Sequence, residues 1–307
     1  MESVLPNHQI WVALSQRIVQ SFLFTRLRKE VFMSNQIGFE YSNEGGETAF
    51  ETFLRYSNEK DKSSEVLGRI LNRLLVEEGM TVLDIGSGNG EYLRLSLIKA
   101  KIPRKTMLTL LEPSKDLAER LIVATKQFPD GSIAKVIHST PEDFVTEDRF
   151  DVILISHVPL AKNQADKLPA IYRKILGLLK PRGSLIIVLR GKDDIHEFRT
   201  VFKSQLMGIN YRSMTIDDAV ETLSFLAKSV PLNISMHTAK AELHVPYCDN
   251  IRDAISIVEF FLNKRWDEIP NNIREAIMSY IRQKNGVLKH IDCFAVARKT
   301  NPFMSAP

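Results

Sequence analysis

The chain has 307 residues, of which 44% are hydrophobic and 25% are charged, and these fractions are ordinary for a folded protein. They argue against disorder, collagen and a coiled coil, and the length allows one or two domains. The net charge of +4 is too small to indicate a polyanionic partner by itself. The two cysteines, Cys248 and Cys293, exclude a disulfide framework and a cysteine-based zinc site, and they favour a reducing compartment.

The N-terminal part of the sequence predicts helices. No run approaches the roughly 18 consecutive apolar residues that span a bilayer, and no secretory signal pattern is present, so we expect a cytoplasmic protein without a membrane segment. Apolar residues at helical spacing predict a helix within residues 10–32, a loop over 35–46, and further helices from residue 47 and over 64–77.

Strand and helix patterns then alternate around a glycine-rich turn, GSGNG at residues 86–90. This alternation predicts an α/β fold whose mostly parallel sheet is covered by helices on both faces. The predicted strands are 81–85, 107–111, 134–138, 151–156, 184–189, 233–245 and 291–297. The predicted helices of this part are 92–100, 165–179, 193–206, 216–227, 251–262 and 273–282, and a turn is predicted at 180–183.

The glycine turn has the character of a cofactor cradle. Glycines let the backbone approach a ligand closely, and Glu112, at the end of the next strand, is placed to accept ribose hydroxyls. The same physics serves NAD, FAD and S-adenosylmethionine. The third glycine of the dinucleotide fingerprint is replaced by Glu91, so we expect that NAD(P) is not a cofactor.

Three motifs in order resemble the class I S-adenosylmethionine-dependent methyltransferases: VLDIGSGNG at 82–90, LEPS at 111–114 and LKPRGSL at 179–185. The resemblance implies a Rossmann-like fold with a seven-stranded, mostly parallel sheet whose last strand is antiparallel. It also implies S-adenosylmethionine as cofactor and S-adenosylhomocysteine as product. By position, Gly86 and Gly88 face the amino-acid part of the cofactor, Glu112 its ribose, and Thr140 with Pro141 its adenine. The other predicted cofactor-binding residues are Asp84, Ser87, Pro113 and Ser156.

A second resemblance, to small-molecule N-methyltransferases of the histamine N-methyltransferase type, extends over most of residues 47–297. It rests on FETFLRYSNE at 50–59, FDVILISH at 150–157 and KHIDCF at 289–294. By that resemblance Glu59 holds the substrate amine, and His157 and His290 face the acceptor. Phe53 and Tyr247 are weaker predicted acceptor contacts. His157 and Glu59 are the predicted catalytic residues, with His157 able to take a proton near its ordinary pKa of about 6.5.

Other functions are weighed on the same residues. Ser156-His157-Val158-Pro159 lacks the run expected of nucleic-acid amino methyltransferases and the acidic ligands of metal-assisted catechol methylation, so we expect no nucleic-acid partner and no metal. The alternatives left open are an O- or C-methyltransferase of a natural-product pathway and a catalytically silent cofactor-binding scaffold. The oligomeric state is not predicted.

The domain organisation follows from these assignments. We predict an N-terminal helical cover over residues 1–63 that contributes to the acceptor pocket. A methyltransferase domain with helical insertions follows over 64–299, and a tail over 300–307.

Overall fold

A single seven-stranded sheet organises the part of the chain that the computed structural model describes, which is residues 48–158, 160, 167–209 and 211–300. Its strands are β1 Thr81–Ile85, β2 Met107–Glu112, β3 Ile133–His138, β4 Phe150–Ser156, β5 Leu179–Arg190, β6 Leu232–His244 and β7 Val287–Lys299. The order across the sheet is β3-β2-β1-β4-β5-β7-β6. β1 to β5 pair in parallel, and β7 runs antiparallel to both β5 and β6. The predicted fold class, with its antiparallel last strand, is confirmed.

Helices cover the sheet. They are α1 Ala49–Tyr56, α2 Glu59–Leu74, α3 Glu91–Ala100, α4 Lys115–Ala124, α5 Leu168–Gly177, α6 Asp194–Met207, α7 Ile216–Leu226, α8 Ile251–Leu262 and α9 Asn271–Gln283. The predicted helix within 10–32, the loop over 35–46 and residues 301–307 of the predicted tail lie outside the described residues. Within the described ranges, no helix combines the length and the apolarity that a bilayer span requires.

Successive side chains of a strand point to opposite faces of the sheet, and helices cover both faces, so the central strands are buried on both sides. One face of the sheet, carrying Leu83, Ile153 and Ile187, packs with α5 and α7. The opposite face, carrying Val82, Val152 and Ile186, packs with α2 and α3. A third apolar cluster joins α1, α6, α8 and α9 beside the end of β6.

Two local predictions differ from the structure. The helix predicted over 64–77 begins at Glu59 and ends at Leu74, so one continuous helix crosses the predicted domain boundary between residues 63 and 64. The predicted turn at 180–183 lies inside β5, where Leu179 pairs with Phe150 and Ser184 pairs with Val152. The extra residues form an irregularity in the ladder with Arg182 at a φ of 66°. The division into cover and methyltransferase domain stays a prediction.

Candidate active site

The turn after β1 holds its glycines in the left-handed region, with φ angles of 75° at Gly86, 58° at Gly88 and 77° at Gly90. Glycine adopts these angles without the cost that a side chain imposes. The carbonyl oxygen of Leu111 accepts hydrogen bonds from the backbone N–H groups of Gly86 and Ser87, at 2.8 and 3.0 Å. A Cβ at Gly88 would meet no atom within 4 Å. The turn therefore offers open space above a fixed backbone.

Glu112, at the carboxyl end of β2, fixes the turn from the neighbouring strand. Its side chain is buried, and its two oxygens accept hydrogen bonds from the backbone N–H groups of Gly88 and Ser114, each at 2.8 Å. This carboxylate therefore lies against the backbone of the glycine turn, beside the open space above Gly88.

Asp84 lies one residue before the end of β1 and is 3% exposed. Burial raises the pKa of the Asp84 carboxyl to about 7. A hydrogen bond from Ser87 acts to lower this pKa, and the negative charge of Glu112 acts to raise it.

The remaining predicted cofactor residues lie at the ends of β2, β3 and β4. Thr140 follows β3, and its hydroxyl donates to the carboxylate of Asp143 at 2.7 Å while it accepts from the backbone N–H of the same residue. The carbonyl oxygen of Pro141 accepts from Lys174, and that of Pro113 lies 2.9 Å from Nε2 of His138. Ser156 ends β4. Their predicted roles stay predictions.

Three predicted acceptor residues meet in one cluster, and a fourth residue joins them. Nε2 of His290 lies 2.9 Å from Oδ1 of Asp292, and Nε2 of His157 lies 3.4 Å from Oδ2 of the same carboxylate. Oε1 of Glu59 lies 3.7 Å from Nε2 of both histidines. We call Glu59, His157, His290 and Asp292 the acidic histidine cluster.

The acidic histidine cluster is built from three distant parts of the chain. Glu59 begins α2, where its backbone N–H donates to Oγ of Ser57. His157 follows β4 at a φ of 54°, and its backbone N–H donates to the carbonyl oxygen of Val188. His290 and Asp292 lie two residues apart on β7, so both side chains project from the same face of the strand.

Burial and charge oppose one another in the cluster. His290 and Asp292 are 0% and 1% exposed, whereas the side chain of His157 is 36% exposed. Burial favours the neutral form of Asp292, but the imidazoles of His157 and His290 hold the pKa of this carboxyl well below its usual range. Partial burial of His157 acts to lower the pKa of its imidazole, but Asp292 and then Glu59 raise it above the usual value.

Several polar atoms of the cluster lack a hydrogen bond, although Oδ2 of Asp292 lies within ion-pairing distance of His157. Oε2 of Glu59, Nδ1 of His290 and Oδ2 of Asp292 are buried and form no hydrogen bond with the described residues. Buried polar atoms are ordinarily paired, because an unmade hydrogen bond in the interior is costly. The cluster therefore has unused capacity to bind a ligand.

The cluster adjoins the glycine turn. A Cβ at Gly86 would lie 2.4 Å from Cγ2 of Val158, the residue after His157. Tyr92 connects the two regions electrostatically, because burial and then the charges of Asp292, Glu59 and Asp84 raise the pKa of its phenol well above the usual value. The turn and the cluster are therefore neighbours at the carboxyl ends of β1 and β4.

Two predicted acceptor contacts lie elsewhere. Phe53 is buried in the helical core, with its ring centroid 5.2 Å from that of Phe260 and 6.3 Å from that of Phe50. Tyr247 packs against the same helical core, where its ring would meet a Cβ at Gly286. Phe53 therefore lies in the core formed by α1, α6, α8 and α9, and Tyr247 packs against that core, while their roles as acceptor contacts stay predictions.

Asp292 was not among the residues predicted from the sequence. The available signal is the alternation in KHIDCF, where two ionisable residues occupy the same face of an otherwise buried strand. The prediction that no metal binds considered the end of β4 and did not include β7. That prediction stays untested.

A family model described as a methyltransferase domain matches residues 53–226, more than half of the chain. The chain belongs to this methyltransferase family. The matched region includes the glycine turn, Glu112 and His157, and the fold is that of the class I S-adenosylmethionine-dependent enzymes. The family assignment and dependence on S-adenosylmethionine, as predicted from the three ordered motifs, are thereby confirmed.

Several solved structures are similar to this chain at low sequence identity. The YcgJ protein from Bacillus subtilis has a TM-score of 0.50 and 14% identity over 77% of this chain and 99% of its own. An S-adenosylmethionine-dependent methyltransferase from Geobacter sulfurreducens, in complex with S-adenosylhomocysteine, has a TM-score of 0.45 and 15% identity over 86% and 98%. The plantazolicin methyltransferase BpumL, also in complex with S-adenosylhomocysteine, has a TM-score of 0.47 and 15% identity over 91% and 100%. No curated protein matches the chain significantly.

Proposed function

We propose that this methyltransferase transfers the methyl group of S-adenosylmethionine to a nitrogen of a small molecule bound at the acidic histidine cluster. The proposal rests on one observation. Glu59, His157 and His290, each predicted as an acceptor contact from a different segment of the sequence, lie within hydrogen-bonding or ion-pairing range of one another or of Asp292. The cluster also adjoins the glycine turn.

The cofactor is assigned to the turn over 86–90. The open space above Gly88 accommodates its amino-acid part, and Glu112 stands where the ribose hydroxyls would be accepted. When bound, the cofactor supplies a methyl group on a sulfonium. The protein's part is to hold the acceptor in line with that methyl group and to exclude water.

The charges of the cluster favour a nitrogenous acceptor. Glu59 and Asp292 contribute two carboxylates that attract an ammonium group or a polarised N–H, and Oε2 of Glu59 has no partner among the described residues. His157, the most exposed member, hydrogen-bonds the acceptor from the carboxyl end of β4. Parallel sheets bind ligands at this edge. An amine attacks only in its neutral form, so an aliphatic amine reacts faster as the pH rises, whereas an imidazole is largely neutral near pH 7 already.

The test is a comparison of acceptor classes with isotopically labelled S-adenosylmethionine. Aliphatic amines, imidazoles, phenols and activated carbon nucleophiles are presented to the wild-type protein and to Glu59→Gln and His157→Gln variants. The matched control is Glu78→Gln. Glu78 precedes β1, at the end of the sheet opposite the cluster, and its exposed carboxylate lies 3.7 Å from Nζ of Lys105. We expect turnover with a nitrogen acceptor, a KM raised at least about tenfold by Glu59→Gln and a kcat lowered by His157→Gln, at about 1.4 kcal/mol per decade.

Three outcomes contradict the proposal. Methylation of phenols or carbon nucleophiles alone favours the natural-product alternative. Binding of S-adenosylhomocysteine without turnover of any acceptor favours a silent scaffold. Unchanged kinetics in both cluster variants remove the cluster from the acceptor site.

A further inference from the structure

The acidic histidine cluster has the composition of a metal site. Glu59, His290 and Asp292 each offer one ligand atom, and these three atoms lie within 4.8 Å of one another. The set combines an imidazole nitrogen with carboxylate oxygens and contains no thiolate. Mixed nitrogen and oxygen ligands suit divalent first-row transition metals such as Zn²⁺, Mn²⁺ and Fe²⁺ better than Ca²⁺ or Mg²⁺, which prefer oxygen alone.

The separations between the ligand atoms fit a coordination sphere. Metal–ligand distances of about 2.1 Å imply neighbouring ligand atoms about 3.0 Å apart in an octahedron and about 3.4 Å apart in a tetrahedron. The observed separations are 2.9 Å between His290 and Asp292, 3.4 Å between His157 and Asp292, and 3.7 Å from Glu59 to each histidine. A single ion between Glu59, His290 and Asp292 requires little rearrangement, because their ligand atoms all lie within 4.8 Å of one another.

Unpaired buried atoms supply an independent reason to expect a cation. Oδ2 of Asp292 and Oε2 of Glu59 lack hydrogen-bond partners among the described residues, and Asp292 is 1% exposed. A buried carboxylate oxygen without a hydrogen-bond donor is costly inside a protein, and a bound cation would remove that cost. The nearby Arg190 does not satisfy them through Nη1, which is itself buried without a hydrogen-bond partner in the described residues.

We propose that Glu59, His290 and Asp292 bind one divalent transition-metal ion next to the more exposed His157. The ion keeps at least one coordination position open for a further ligand, because three protein ligands fill neither a tetrahedron nor an octahedron. A further consequence rests on the proposed function: the acceptor is a small molecule whose metal-binding donor, such as an imidazole nitrogen, coordinates the ion while a nearby nitrogen receives the methyl group. Metal binding itself does not depend on the nature of the acceptor.

The experiment measures metal binding without an acceptor. The full-length protein is treated with a chelator, and Zn²⁺, Mn²⁺ and Mg²⁺ are titrated separately by calorimetry, with metal content checked by mass spectrometry after gel filtration. We expect one equivalent of Zn²⁺ or Mn²⁺ to bind, and Mg²⁺ to bind at least about a hundredfold more weakly. Asp292→Asn and Glu59→Gln are expected to weaken binding at least tenfold, whereas the control Glu78→Gln is not expected to change it.

Folding of the variants is controlled separately. Asp292 lies in the sheet interior, whereas Glu59 begins a helix, so Glu59→Gln keeps the test valid if Asp292→Asn fails to fold. Failure of the wild type to bind Zn²⁺ and Mn²⁺, or wild-type affinity in folded Glu59→Gln and Asp292→Asn, overturns the metal site. Metal binding without nitrogen methylation contradicts the proposed function and leaves the metal site standing. Nitrogen methylation at full rate by a protein that binds no metal contradicts the metal site and leaves the proposed function standing.

Discussion

Substituting alanine at Gly88 and at Gly79 separates cofactor binding from backbone strain. Both glycines have positive φ angles, 58° and 76°, and a Cβ at either position would meet no atom within 4 Å. They stand beyond opposite ends of β1, Gly88 in the proposed cofactor turn and Gly79 before the strand. The two variants therefore share the same local cost and differ in whether the new methyl group enters the proposed cofactor space.

The magnitudes follow from this geometry. A residue with a Cβ in the left-handed region costs about 1–2 kcal/mol. With no steric clash at either glycine, each variant should lose about that much stability and melt a few degrees lower, at about 2 °C per kcal/mol for a chain of this size. Only Gly88→Ala should also weaken S-adenosylhomocysteine binding, by at least about tenfold, or about 1.4 kcal/mol.

The assay is titration calorimetry with S-adenosylhomocysteine, run beside thermal unfolding of the same preparations. Gly86→Ala extends the series, because its Cβ would also lie 2.4 Å from Val158, and it should lose more stability than the other two variants. Equal affinity of Gly88→Ala and Gly79→Ala for the ligand would show that the turn is not the cofactor cradle.

Three further variants test the buried carboxyl of Asp84, the hydrogen bonds accepted by Glu112 and the packing of Phe53. Burial raises the pKa of Asp84 to about 7, so the folded protein holds a proton that the unfolded chain releases near pH 4. The free energy of unfolding therefore falls as the pH rises from about 4 to 7, by up to about 1.4 kcal/mol per pH unit. Asp84→Asn should flatten this part of the pH profile measured by urea unfolding, and a stability difference between the two proteins that does not change with pH would refute the assignment. Glu112→Gln keeps the shape but weakens the acceptor of two backbone N–H groups, from Gly88 and Ser114, and should lower stability by about 1–3 kcal/mol and also reduce ligand affinity. Phe53→Ala should cost about 3–5 kcal/mol in urea unfolding with unchanged affinity for S-adenosylhomocysteine, whereas a loss below 1 kcal/mol would contradict its burial in the helical core.

The elements that sequence reasoning located well are those with local causes. The pattern of β-branched and apolar residues followed by GSGNG specifies a strand and a turn within ten residues, and the structure has them at Thr81–Ile85 and at the three positive φ angles that follow. The strand ending at Glu112 and helix α8 are equally local, since their apolar periodicity and flanking polar residues lie within the elements themselves.

The start of α2 was misplaced because its support comes from elsewhere in the chain. NEKDK at residues 58–62 resembles a solvated charge run, yet Lys60 forms an ion pair with Glu91 at 2.7 Å, and Asp61 pairs with Lys99. These partners belong to α3, so only the packing of the two helices reveals that the charged residues form a helical turn. Glu59 is thereby held on a rigid element rather than on a loop.

The acidic histidine cluster shows the same limit at the candidate site. A resemblance could suggest Glu59, His157 and His290 separately. The position of Asp292 beside them follows only from the pairing of β7 with β5, which is a property of the sheet order. The strand pairing of Arg190 with Asp292 brings the carboxylate to the sheet edge where β4 ends at Ser156. No spacing rule within the sequence contains that information.

Backbone hydrogen bonds from other elements hold the cluster in place before any ligand arrives. Between its two members on β7, the N–H of Ile291 donates to the Asp193 carboxylate at 2.7 Å, and its carbonyl oxygen accepts from Gly191 at 2.8 Å. The same Asp193 carboxylate accepts from the backbone N–H of His196 in the first turn of α6, so one side chain joins that helix to the strand. His157 is fixed in turn by its bond to Val188. Because strands and a helix start set these positions, the spacing of the cluster is a property of the fold, and an acceptor or a metal ion must match it rather than shape it.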